Sequence, residues 1–145
     1  MSDADPSGDP LDVHTLETLG RRAVTHPLVD RWAFRPDDLS PRRLELTLDA
    51  DRFPASVEAA RLDIRWFEGG DYTFHYPELG SEDVWQCRWD RHPKPGAPKE
   101  HFHPPPDASA VVKPSDVESS HHLGVLFFVL DWIDDRLEQW HGGPR

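Results

Sequence analysis

Between Arg65 and His103 the chain carries four histidines, His75, His92, His101 and His103, and three arginines, Arg65, Arg88 and Arg91. Histidine is the side chain whose proton moves near neutral pH, and a guanidinium matches the oxygens of a phosphoryl group. His101-Phe102-His103 is the sharpest feature. In extended backbone, residues i and i+2 point the same way, so both imidazoles face one spot. Pro104-Pro105-Pro106 behind them would stiffen the chain as polyproline II. Two chemistries fit. In one, His92, His101 and His103 (or Asp90 in place of His92) hold a divalent metal such as zinc or manganese, with an open position for water. In the other no cofactor is needed. One histidine removes a proton, a second protonates the leaving oxygen, and Arg65 and Arg88 stabilise a phosphoryl transition state while Asp90 orients a histidine. The spacing of H-x-H does not separate the two. The candidate catalytic residues are therefore His75, His101, His103, Arg65, Arg88, Asp90 and His92. His121 and His122 read as capping or surface groups, and His14, His26 and His141 as surface.

Positioning these residues requires a sheet with one polar face. Leu44, Leu46 and Leu48 alternate with polar residues, as do Leu62, Ile64 and Trp66, then Tyr72, Phe74 and Tyr76, then Trp85, Cys87 and Trp89. Gly69-Gly70 is a hairpin-turn signal between the second and third runs. The pattern predicts a four-stranded antiparallel meander, and strand parity sends Arg65, Thr73, His75, Gln86, Arg88 and Asp90 to the face opposite the aromatic residues. Asp9-Pro10 is read as the start of an N-terminal helix carrying Val13, Leu16, Leu19 and Ala23. The segment through Pro27, Trp32, Phe34 and Pro36 is read as a link, and Pro93–Pro106 as too rich in proline for a sheet interior. Ser115-Asp116-Val117-Glu118 has the pattern of a capping box opening a long helix that ends near Trp140. The expected architecture is α+β: helix, four-stranded sheet, and a long C-terminal helix packed on the apolar sheet face. The wide apolar arc of that helix implies burial on two sides, by sheet plus first helix or by a second subunit, as in a homodimer.

The alternating aromatic residues read as core, and Cys87, which shares their parity, as a buried thiol. Phe67 and Phe102 are left as candidates to stack a base. No glycine-rich phosphate loop, C-x-x-C pair or nucleophile elbow is present, so nucleotide cofactors and serine hydrolysis have no support.

The 145 residues (16.6 kDa) suit one domain, expected over 10–141 behind a disordered acidic tail at 1–9. A single cysteine excludes an internal disulfide and suits a reducing cytoplasm. No apolar run approaches the length of a membrane span, and the acidic N-terminus lacks a secretory pattern. Net charge is −11. Asp outnumbers Glu 18 to 9 and Arg outnumbers Lys 13 to 3, a balance typical of salt-in halophiles, archaea among them. At molar salt the Debye length falls to about 3 Å, so overall acidity does not veto an RNA ligand. Local arginines decide.

The succession D-Y-T-F-H-Y (71–76), C-R-W-D-R-H-P (87–93), H-F-H-P (101–104) and a final helix resembles the TumE-type toxins of bacterial and archaeal toxin–antitoxin pairs. The resemblance covers about 61–140. It implies functional roles for His75, Asp90, His92, His101 and His103, growth inhibition through RNA, and neutralisation by a partner with a helix-turn-helix. Where the family often has one more histidine, this chain has Glu100. Two readings follow: a toxin acting as an endoribonuclease, or a non-catalytic interaction module (or metal-binding domain) that meets its partner through Val125, Val129 and Trp132.

Overall fold

A computed structural model of the chain describes residues 8–92 and 99–142. Residues 1–7 of the expected tail lie outside this range. The first helix, α1, spans Val13–Ala23 and is capped by Asp12, not by Asp9. The Asp12 carboxylate accepts from the Thr15 amide at 3.0 Å and from its hydroxyl at 2.7 Å, satisfying donors that the first helical turn leaves over. Pro10–Asp12 instead run beside the sheet, where the Asp12 amide donates to the Trp66 carbonyl at 2.7 Å.

Among the described residues seven strands follow: β1 Val29–Arg35, β2 Arg43–Leu48, β3 Ala59–Trp66, β4 Tyr72–Leu79, β5 Val84–Arg91, β6 Glu100–His103 and β7 Lys113–Pro114. They pair in chain order, every neighbour antiparallel, as one meander. The four expected strands are β2 to β5, and three more extend the sheet at both edges. β1 occupies the supposed link because Val29–Arg35 contains no proline and sets Trp32 and Phe34 opposite Leu46 and Leu44. β6 is a proline-free island inside the proline-rich stretch, paired to β5 on one side and β7 on the other. Behind it Pro104–Pro106 turn, with a cis bond between Pro105 and Pro106, and do not continue as polyproline II.

Both helices cover the apolar face of the sheet, and the opposite face keeps the polar residues. Within α1, Gly20 is a contact point: a Cβ there would lie 2.5 Å from Cδ2 of Trp32. The bare backbone lets the indole of β1 lie against the helix. Gly20→Ala is expected to cost about 1–3 kcal/mol through overpacking, read as a lower urea midpoint. An unchanged midpoint would mean that Trp32 moves aside freely.

The second helix, α2, spans His122–Gly142. It starts later than the capping-box pattern suggested. Ser115 Oγ accepts from the Val117 amide at 3.1 Å, which turns the chain locally and buries Val117. His121 caps instead, its Nδ1 accepting from the Leu123 amide at 3.2 Å. Leu126, Leu130, Ile133 and Leu137 are fully buried between sheet and α1, as are Val125 and Val129. Those two valines therefore form no partner surface, while Trp132 and Trp140 of the same arc are half-buried. Trp132 packs edge-on against Trp89 at 5.1 Å and beside Trp85 at 6.4 Å. His26, expected at the surface, joins the layers: its side chain is 10% exposed and its Nε2 lies 3.2 Å from Asp131. Of the described helices, none is long and apolar enough to cross a membrane.

Candidate active site on the polar sheet face

The pairing registers arrange the polar face into cross-strand rows. Asp63 stands opposite His75, His75 opposite Arg88, and Arg88 opposite His103. One step along the strands, Arg65 stands opposite Thr73, Thr73 opposite Asp90, and Asp90 opposite His101. Six of the seven candidate residues thus share two adjacent rows. His92, just beyond β5, stands against His101 with ring centroids 5.0 Å apart.

The centre of the site is buried. Asp90, His101 and His103 are 1%, 0% and 4% exposed. Nδ1 of His103 lies 2.7 Å from the Ser109 carbonyl oxygen, an acceptor, so the proton of the neutral ring sits on Nδ1. Nε2 then carries a lone pair, which accepts from Nη2 of Arg88 at 3.0 Å. Burial, with the Arg88 charge in the same direction, holds His103 below the usual histidine range, while the Ser109 contact and Asp90 oppose it. The same guanidinium donates through Nε to Asp90 Oδ2 at 2.9 Å. Asp90 Oδ2 and His103 Nε2, both acceptors, lie 3.0 Å apart and are held together by the one cation they share. His101 Nε2 lies 3.6 Å from the same carboxylate oxygen.

His75 belongs to the outer part of the site. Its Nε2 contacts Gln86 Oε1 at 2.7 Å and its Nδ1 lies 3.7 Å from Asp63. Asp63 also accepts from Nε of Arg61 at 2.9 Å. Burial alone would raise the Asp63 carboxyl, but His75, Arg61 and Arg43 outweigh it and hold the group below the ordinary range. The stability this contributes is complete above about pH 4, the unfolded value, and is lost as pH falls through the lower folded value. Asp63→Asn should therefore flatten the acid limb of a plot of melting temperature against pH. An acid limb identical to wild type would place the titration elsewhere.

Two openings reach the rows. A groove of about 550 Å³ is lined by Arg43, Arg61, Arg65 and Arg88 together with Asp63, Thr73, His75 and Gln86. A cleft of about 260 Å³ continues past Arg65 and Arg88 to Asp90, Arg91 and His92. Four guanidiniums line the groove against one carboxylate, the reverse of the balance in the whole chain. Arg43 and Arg61 were missed in the sequence. Their signal was parity, since both alternate with core leucines. The base-stacking residues are corrected: Phe67 is 4% exposed, and Phe102 lies on Trp89 at 5.1 Å. Cys87 is buried, and burial pushes its thiol well up from the usual range.

Among the described residues, Asp90, His101 and His103 are a set whose donor atoms could hold a metal ion, all within 4.8 Å of one another. With an imidazole lone pair, a carboxylate and convergent guanidiniums, the face can move protons and bind an anion.

No curated protein and no solved structure matches the chain. A profile of the family described as Toxin TumE matches residues 16–137. The match takes in α1 and β1 as well as the motifs around the site, and so begins well before residue 61. Covering most of the 145 residues, it makes this chain a member of the TumE toxin family.

Proposed function

We propose that the chain is the toxin of a toxin–antitoxin pair and cleaves single-stranded RNA, with its reacting phosphate over the row His75–Arg88–His103. The observation that carries this reading is that row itself: His75 and Arg88 line an arginine-rich groove of an acidic protein, and His103 lies buried behind Arg88. Arg88 covers His103 Nε2, and a phosphate drawing the guanidinium onto its own oxygens uncovers the lone pair. His103 then takes the proton of the ribose 2′-hydroxyl, and the 2′-oxygen attacks phosphorus. The bond to the 5′-oxygen breaks, and His75 donates the proton that this oxygen needs. The products are a 2′,3′-cyclic phosphate and a 5′-hydroxyl. Arg88 and Arg65 stabilise the charge on the phosphorane oxygens, and Asp90 positions Arg88 and His103. His101 supports Asp90 from the neighbouring strand.

Family membership implies an antitoxin partner, and a helix-turn-helix protein encoded alongside would neutralise the activity. The acidic, arginine-over-lysine composition supports reading the protein as a cytoplasmic one of a halophile, and the assay is therefore run in multi-molar KCl. The test is incubation of the purified chain with end-labelled RNA and with the same strand carrying one 2′-deoxy residue at the cleaved position. The reading expects cyclic phosphate ends from the first and an uncut second strand. Equal cutting of both would exclude attack by the 2′-oxygen.

A further inference from the structure

The two acceptors held 3.0 Å apart by Arg88 define a position where positive charge is required. We propose that Asp90, His101 and His103 form a binding site for one divalent transition-metal ion of the zinc class, and that the ion displaces the Arg88 guanidinium. The donor set is one carboxylate oxygen and two imidazole nitrogens, a chemistry suited to zinc and cobalt. Bonds of about 2.0–2.1 Å in a tetrahedral site set neighbouring donors roughly 3.3 Å apart. The carboxylate-to-imidazole distances of 3.0 and 3.6 Å bracket that spacing. The Ser109 carbonyl holds His103 in the tautomer that a metal needs, with Nδ1 protonated and Nε2 turned to the ion. Asp90 Oδ1 is buried without a hydrogen bond, so the carboxylate keeps acceptor capacity that Arg88 does not use. Entry is through the cleft at Asp90 and His92. The Arg88 side chain is 36% exposed and can swing into solvent.

A bound ion occupies the lone pair that RNA cleavage requires, so metal would switch the enzyme off. This consequence rests on the ribonuclease reading; the binding does not.

The test titrates the whole chain, first stripped of metal by a chelator, with cobalt(II) chloride and then with zinc chloride. One cobalt per chain should give the visible bands of a four-coordinate site, and zinc should bleach them. Asp90→Asn and His101→Ala should lose the bands. The asparagine variant keeps the shape of the buried carboxylate, so the result does not depend on the alanine variant folding. Arg88→Ala should bind cobalt about tenfold more tightly or better, since no charge-assisted hydrogen bonds must be broken. A folded wild-type chain without cobalt bands would overturn the site. So would bands that survive both ligand substitutions, or weaker binding by Arg88→Ala. Cobalt binding by a chain that never cuts RNA would leave the metal site standing and remove the ribonuclease; RNA cutting without cobalt binding would do the reverse.

Discussion

His103→Ala should lower RNA cleavage by about two to four orders of magnitude, the usual weight of a positioned general base, while the sheet survives. The expected loss is this large because nothing nearby replaces the lone pair. His101 is fully buried beside the carboxylate, and His75 stands two strand spacings away, about 10 Å between backbones, on the far side of Arg88. The substitution also leaves the Ser109 carbonyl without its donor, so some stability is lost with it. Circular dichroism and a urea midpoint separate the two effects. Wild-type cleavage by a folded His103→Ala chain would remove His103 from the reaction.

The largest effect on stability is expected far from that site. Glu78 points to the helix-covered face of β4 and is 3% exposed. It accepts from Arg136 of α2 at 2.8 and 2.9 Å and from the buried hydroxyl of Tyr76. The Arg136 guanidinium in turn lies between two indoles, 3.4 Å from the Trp85 ring centre and 4.4 Å from that of Trp140. Glu78→Ala leaves a half-buried cation and a buried hydroxyl without their common acceptor. Removing one partner of such a pair costs about 3–5 kcal/mol, more than the methylenes lost with it. Urea denaturation should show the drop, and Glu78→Gln should recover part of it by keeping an acceptor. A loss under about 1 kcal/mol, typical of an exposed pair, would show that Arg136 reaches water instead.

The two sites differ in how much of them the residues alone reveal. Parity alone pairs Arg88 with Asp90 on one face and His101 with His103 on one side of their own segment, because alternation in a strand is local; the β5–β6 pairing brings the two pairs to the same face. Register is not local. That His75 meets Arg88, and Arg88 meets His103, depends on how three strands slide past one another. β6 was hidden because its four residues are too few for a periodic signal and are flanked by prolines. β1 was hidden between Pro27 and Pro36, where an irregularity between Val29 and Arg31 breaks the alternation. The Glu78–Arg136 pair lies 58 residues apart in the chain. A carboxylate on the apolar parity of β4 was its trace, an exception that needed a cation from another element. The helix start shifted because Ser115 bonds its own loop, an outcome that competes with helix at serine.

In the proposed reaction His103 and His75 act as base and acid on either side of one phosphate. An RNA whose cleaved linkage carries sulfur in place of the bridging 5′-oxygen tests it most directly, because a thiolate leaves without a proton. Cleavage of that strand by His75→Ala should return to near the wild-type rate, while His103→Ala should stay inactive on both strands. Equal defects of His75→Ala on the oxygen and sulfur strands would contradict the assignment of His75 as the acid, and with it the row as a catalytic unit.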